Sequence, residues 1–420
     1  MRMRRISLES IKMNYSSSIA GFLVIVVMVL QGCATPARQP AVPMGLEDQA
    51  RVPGFPDVRY RIGIGKDMAA MEQEGIAAYK REQEQFVASG YSGQLPPAVF
   101  LAISGGGDNG AFGAGLLCGW TAAGDRPQFK LVTGISTGAL IGPFAFLGSS
   151  YDAQLKEFYT TVSQKDILKK RGMLAAINDD ALADNEPLKR LVEKAVTRDM
   201  LDAIGAEYKK GRLFLVATVD LDARQGVIWN MTRIAASDNP GALDLFRKIL
   251  VASAAIPGAF PPMMIDVEEG GQRYQEMHVD GGTMAQVFLY PPSLSLKEME
   301  RKEHVSARER RLYIVRNSRL DADWASVDRR TLTIVGRAIS SLIQTQGIGD
   351  LYRIYLTAQK DGIDYNLAYI PSSFNVPKKE DFDTAYMRQL FDVAYDMAAK
   401  GYPWQKAPPG LQPSAIAVPK

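Results

Sequence analysis

Ser136 sits in Gly134-Ile135-Ser136-Thr137-Gly138, between an apolar run from Leu131 to Ile135 and a second apolar run ending near Leu147. Glycines two residues either side of a serine, at a strand-to-helix junction, form a nucleophile elbow: the sharp turn lifts the hydroxyl out of the sheet, and the glycines let strand and helix approach. Ser136 is therefore the candidate nucleophile. A second stretch, Gly105-Gly106-Gly107-Asp108-Asn109-Gly110, follows the continuous apolar run AVFLAIS that opens at Ala98. Consecutive glycines there can turn several N–H groups toward one point, where the following helix N-terminus adds positive potential and stabilises an oxygen gaining negative charge. Such a hole contributes a few kcal/mol per donor, roughly a hundredfold or more in rate. The same glycines fit a dinucleotide fingerprint, which also needs an acidic residue about twenty positions on at a second strand end. Asp125 lies in the turn GDRPQF instead, so the nucleotide reading lacks its third condition.

A serine nucleophile needs a base. His278 and His304 are the only imidazoles in the chain. His304 falls in the highly charged EMERKEHVSARERR and reads as solvated surface. His278 precedes Asp280 by two positions, which puts both side chains on one face of a strand. Asp280 ends that strand ahead of Gly281 and Gly282, with no neighbouring side chain to crowd it at the sheet rim. A free aspartate, pKa about 3.9, is a feeble base at neutral pH, and burial beside apolar walls would have to raise it. On residue types alone, both Asp280 and His278 stand as candidates.

The elements that must position these groups are legible in the pattern. Apolar runs at Ala98, Leu131–Ile135, Arg212–Leu221, Met277–Val279, Leu312–Asn317 and Tyr365–Ile370 read as strands, with Val227–Met231 as a hairpin or edge. Helical spacing runs through Met68–Phe86, Ala111–Ala123, Tyr151–Ser163, Leu188–Ile204, Leu243–Ala255, Thr331–Gln346, Asp350–Gln359 and Asp383–Lys400. Strands alternating with helices imply an α/β fold, a mainly parallel sheet covered on both faces. With 420 residues, 46% hydrophobic and 23% charged, the chain can hold one large α/β domain with appendages. A net charge of +3, with both signs intermixed, gives no case for nucleic acid. Two cysteines, Cys33 and Cys118, and two histidines exclude a zinc site of the usual Cys/His kind. Cys118, inside apolar Gly113–Trp120, reads as a small core residue.

Residues 1–33 resemble a bacterial lipoprotein signal: a basic lead, an apolar run from Ile19 to Leu30 too short to span a bilayer, then Leu30-Gln31-Gly32-Cys33. The resemblance implies lipidation of Cys33 and a membrane anchor. Ala34, rather than aspartate, follows the cysteine and points to the outer membrane, facing the periplasm. Pro-rich residues 34–57 read as a tether, so 34–94 comprises tether and leading helix. Residues 376–420 comprise a closing helix and a tail, from Pro403, expected to be poorly ordered.

Taken in order, ISGGGDNGAFGAG, GISTG, ASAAIPGAFPPM and VDGG resemble the four blocks of the patatin-like phospholipases, over roughly residues 95–320. The resemblance implies a three-layer α/β/α core, placed at 95–375, and a Ser-Asp dyad of Ser136 as nucleophile and Asp280 as base. It also implies the loop Gly105, Gly106, Gly107, Asp108, Asn109 and Gly110 as oxyanion hole, an acyl lipid or phospholipid as substrate, and no metal or organic cofactor. Asn109 stands where the family often carries Arg or Lys, which leaves the backbone donors. The expectation is thus a lipid-anchored lipid acyl hydrolase, of phospholipase A or lysophospholipase type, working through an acyl-serine. The alternatives are a Ser-His-Asp carboxylesterase using His278 and a non-catalytic lipid-binding envelope lipoprotein.

Overall fold

The computed structural model describes residues 36–172 and 179–411. Cys33 and the expected signal segment lie outside the described residues, as do 173–178 and 412–420. The main elements, in chain order, are β1 (Arg59–Arg61), α1 (Gly65–Ala88), β2 (Ala98–Ile103), α2 (Gly110–Ala123), β3 (Leu131–Gly134), α3 (Thr137–Leu147), α4 (Asp152–Thr160), β4 (Leu213–Asp220), β5 (Gln225–Asn230), α5 (Ala242–Ser253), β6 (Met263–Glu269), β7 (Gln272–Asp280), α6 (Leu296–Glu303), β8 (Arg310–Arg316), α7 (Thr331–Asp361), β9 (Asp364–Tyr369) and α8 (Thr384–Ala399).

One nine-stranded sheet runs β1-β5-β4-β3-β2-β8-β9, with the β6–β7 hairpin attached through β7 to β4. From β9 to β4 the pairing is parallel, and β5, β1 and β7 are antiparallel. Alternation along the strands sorts the core into two layers. Val99, Leu101 and Ile103 of β2 join the cluster formed with α2, α3, α5 and α8. Phe100 and Ala102 face the opposite way, toward α1 and the second half of α7. This is the three-layer α/β/α arrangement.

Helix α2, GAFGAGLLCGWTAA, is apolar all round and buried from Gly110 to Trp120. Its small residues set the distance to α8: a Cβ on Gly115 would lie 2.2 Å from the Phe391 carbonyl oxygen, and one on Gly119 2.2 Å from that of Tyr395. Cys118 is free and buried there, with its thiol pushed up to about 12 by burial. Asp383 caps α8 by accepting from Ala385 N (2.9 Å).

Four stretches differ from the sequence expectation. The tether is docked: Arg38 pairs with Asp222 at 2.7 Å, and Val52 and Phe55 are buried in the core. The tail is packed as far as Ala407 and Pro408, and Trp404 sits 4.9 Å from Trp120 and 4.7 Å from Tyr313, ring centre to ring centre. Helix α7 is one helix instead of two, because Gly347 makes room for Arg316 rather than breaking the helix: a Cβ would lie 2.4 Å from the guanidinium. The expected Met277–Val279 strand is the end of a hairpin with β6 whose two-residue turn, Gly270-Gly271, has φ of 57° and 75°.

Replacing Gly115 with leucine should force α8 off α2. The expected loss is about 1–3 kcal/mol of stability, read as a lowered midpoint in denaturant unfolding.

Candidate active site

β3 stops short, and β7 takes over its place beside β4. The first half of β4 pairs with β3, ending with Gly134 opposite Val216. The second half pairs with β7, beginning with Asp280 opposite Thr218. The two strand ends therefore meet two residues apart along β4, roughly 7 Å. The chain leaves β3 through Ile135 into Ser136, and Asp280 is the last residue of β7.

Ser136 has φ 54° and ψ −125°. A non-glycine residue held in such a region costs on the order of 1–3 kcal/mol and persists only where its surroundings over-determine it. They do here: the Ser136 N–H donates to Ser253 Oγ (3.0 Å), and that hydroxyl donates to the Ala217 carbonyl (2.8 Å). Close approach explains the flanking glycines, since a Cβ at Gly134 would lie 2.4 Å from Gly138 O and one at Gly138 2.3 Å from Ile103 O. The elbow is thus wedged between β2 and its own helix.

Asp280 is 4% exposed. Its carboxylate lies beside the Ser136 side chain and accepts the Gly282 N–H at 2.7 Å, while its own N–H donates to Ala255 O at 2.9 Å. Burial pushes the carboxyl up to about 7, against the opposing pull of the Ser136 side chain and the Gly282 N–H. The condition that a free aspartate fails, a proton affinity near neutrality, is met by the environment.

The glycine loop lies against the elbow; a Cβ on Gly105 would sit 3.3 Å from Ser136 Cβ. Not all of its amides are free. Gly105 N–H donates to Gln286 O (3.0 Å), Asn109 N–H to Gly106 O (3.1 Å), and Gly110 N–H back into the loop's single helical turn. Among the described residues, no acceptor takes the N–H groups of Gly106, Gly107 or Asp108. The Asp108 carboxylate faces Lys378 Nζ at 2.9 Å and accepts Phe382 N–H at 3.0 Å, so the C-terminal segment brings a cation beside the loop that Asn109 does not supply. Asn109 itself accepts from Tyr386 OH at 2.7 Å.

A narrow cavity of about 40 Å³ opens beside Ser136, lined by Gly107 and Asp108 and by apolar Leu140, Phe158, Val162 and Phe260. A larger apolar cavity of about 330 Å³ lies between α1, α6 and the opening residues of β2 to β4, and neither Ser136 nor Asp280 lines it. Of the two, Ser136 lines only the narrow one, and Asp280 lines neither.

His278 is fully buried and committed elsewhere. Its Nδ1 meets Thr218 Oγ1 at 2.8 Å, a hydroxyl that also accepts from Trp229 Nε1, and its Nε2 meets Glu276 Oε2 at 3.0 Å. Neither ring nitrogen faces Ser136, which removes the Ser-His-Asp alternative. His304 caps α6 at the exposed surface. Asp220, Glu276 and His278 offer atoms within 4.8 Å of one another, the geometry of a metal cluster. Arg59 already occupies that position: its guanidinium forms a bidentate pair with Glu276, with Nη2 at 2.9 Å. Burial opposes ionisation of Glu276, but Arg59 and His278 hold its carboxyl well below the usual range. The cluster is an ion-paired support for β7.

Comparison with known proteins bears on the same stretch. Residues 101–291, which include the glycine loop, the elbow and Asp280, match the family model for patatin-like phospholipases. A search of curated proteins found no match. Among solved structures, VipD from Legionella pneumophila aligns at 11% identity and a TM-score of 0.36, over 74% of this chain and 67% of that one.

The raised Asp280 carboxyl carries a stability signature. Between its ordinary 3.8 and about 7 the folded state holds a proton that the unfolded chain has released, so its stabilising contribution is complete below 3.8 and is lost as pH rises through about 7. Asp280→Asn should therefore be the more stable protein at pH 8, by on the order of a few kcal/mol, with the gap closing toward pH 4 in thermal unfolding.

Proposed function

This chain carries a patatin-like phospholipase domain over residues 101–291, and from that premise we propose that it is a lipid acyl hydrolase working through a Ser136–Asp280 dyad. One observation carries the assignment: beside the Ser136 side chain lies a buried carboxyl whose pKa is pushed up to about 7. A base poised near the working pH combines the right protonation state with sufficient driving force.

In acylation, Ser136 Oγ attacks the ester carbonyl carbon and its proton passes to the Asp280 carboxylate. The carbonyl oxygen, now an anion, is held by the N–H groups of Gly106, Gly107 and Asp108. Collapse of the tetrahedral intermediate expels the alcohol, which takes the proton from Asp280 and leaves an acyl-serine. Water then gives a proton to Asp280 as it attacks the acyl carbon, and the second collapse releases the carboxylic acid as Ser136 regains its proton. The apolar walls of the narrow cavity suit the first few carbons of an acyl chain. Glycerophospholipid or another acyl lipid is the substrate class. Lipidation of Cys33 would hold the enzyme at the outer membrane, facing the periplasm, with its substrate in reach.

Ser136→Ala should abolish both hydrolysis of a chromogenic acyl ester and labelling by a fluorophosphonate probe. Asp280→Asn should cost roughly 10²- to 10⁴-fold in rate. The unmodified enzyme should gain activity as pH rises through about 7, where the carboxyl ionises, and then level off. Undiminished hydrolysis by Ser136→Ala would remove the nucleophile, and acyl-chain binding with no covalent labelling would favour a lipid carrier instead.

His278→Gln should lower thermal stability while sparing most of the activity measured on folded protein. A loss as deep as that of Asp280→Asn would reinstate the histidine as base.

A further inference from the structure

Helix α7 has two unlike halves. Its second half is buried against the sheet through Leu351, Ile354 and Ala358. Its first half stands in solvent: every described side chain from Ile334 to Ile343 except Arg337 is exposed. That half is amphipathic nonetheless. Val335, Ile339, Leu342 and Ile343 recur at helical spacing on one side, with Leu342 70% exposed, while Arg337, Ser340 and Gln344 occupy the other. The preceding loop runs along the polar side, where Asp323 pairs with Arg337 at 3.0 Å and the Asp321 carbonyl accepts from Gln344 at 2.9 Å. It leaves the apolar side bare, and Trp324, next to Asp323 in that loop, is 90% exposed.

We propose that this half-helix and Trp324 form a docking face for an anionic lipid surface. The reading rests on the lipid-hydrolase assignment above for its purpose, but its own observations are independent. Charge favours the same partner: in the preceding loop Asp321 is paired with Arg319 and Asp323 with Arg337, which leaves Arg329 and Arg330 against Asp328 at the head of the stripe, and no carboxylate occurs between Arg329 and Gly349. An apolar stripe with a cationic surplus at its head and an exposed tryptophan in the adjoining loop suits the headgroup boundary of an anionic bilayer. The free half, about twenty ångströms long at 1.5 Å per residue, lies in that boundary rather than crossing it. No helix among the described residues is long and apolar enough to span a membrane. Position selects the same partner. Where the exposed half ends, Gln346 Nε2 donates to Met284 O (2.5 Å), and Asp350 accepts the Gln286 N–H (2.6 Å). Gln286 in turn donates to Gly282 O (2.7 Å) and accepts from Gly105 N–H. The bare stripe is thus rooted on the segment that follows Asp280 and touches the glycine loop.

The full chain is mixed with vesicles of phosphatidylcholine and phosphatidylglycerol, with and without brominated acyl chains. Trp120 and Trp229 are buried and Trp404 half-buried, so bromine quenching reports on Trp324, and Trp324→Phe gives the background. Quenching should be strong in the unmodified chain and fall to background in Ile339→Asp/Leu342→Asp, whose changed side chains are both exposed. The same double variant should lose at least about tenfold in hydrolysis of vesicle lipid and stay within about twofold on a water-soluble short-chain ester. Undiminished quenching in the double variant overturns the proposal. So does a stable dimer in lipid-free buffer that the double variant dissolves, which would assign the face to a second copy. Quenching without hydrolysis of either ester would sustain the docking face and defeat the catalytic reading.

Discussion

The site depends on one strand serving two partners in succession. β4 gives its first half to β3 and its second to β7, and the space between Gly134 and Asp280 is where the hydroxyl and the carboxyl meet. Because side chains alternate along a strand, a slip of β7 by one residue would turn Asp280 to the other face of the sheet. Register is therefore the quantity that the surroundings must defend. The Gly270-Gly271 turn fixes β6 on β7, since positive φ at both residues closes a two-residue hairpin, so the pair can shift on β4 only as a unit. Thr218, His278, Glu276 and Arg59 set the register from the side, through buried hydrogen bonds that match only one alignment of β7 on β4. Losing one partner of such a buried pair costs ~3–5 kcal/mol, which is a strong penalty against slippage.

Two features of the site work against folding. Ser136 is held in a strained backbone conformation, and Asp280 is a carboxyl without a cation to pair with it in its burial. Both become tolerable because the flanking elements are rigid and dry. Helices α2 and α3 are buried along nearly their whole lengths, and Ser253, fully buried at the end of α5, ties the Ser136 amide to β4. The same dryness that destabilises a charged Asp280 is what lifts its proton affinity toward neutrality.

What the sequence disclosed was the local chemistry that only certain residues can perform. Gly134 and Gly138 were legible because a Cβ at either would strike backbone, and the core strands were legible because parallel strands buried on both faces read as unbroken apolar runs. β6 was not, since MMIDVEE carries the mixed pattern of a half-exposed strand, although two glycines before QRYQEMHVD were a usable hairpin signal. Ser253 carries no local mark: its role comes from where α5 ends, and that is a tertiary fact. His278 illustrates the converse. Its spacing from Asp280 put both on one face of β7, but only the neighbours Thr218 and Glu276 show that both ring nitrogens are already engaged. The docked tether and tail follow from long-range partners, Asp222 for Arg38 and Trp120 for Trp404, that no local composition records.

The glycine loop, finally, is not an isolated cradle. Gly105 is the first of its glycines, and its amide is spent on Gln286, whose own amide is held by Asp350 of α7. Asp350 is also paired with Arg353 one turn on, so its carboxylate is fixed to the buried half of the helix. On the other side, Asp108 is clasped by Lys378 and the Phe382 amide, and Asn109 by Tyr386 of α8. The loop that carries the free amides of Gly106, Gly107 and Asp108 is thus held by bonds made on both flanks, one set from α7 and one from the C-terminal segment. An oxyanion hole contributes through preorganisation, because donors already in place need not reorganise as charge develops. That makes the late part of the chain, more than two hundred residues beyond the loop, as much a component of the site as the elbow.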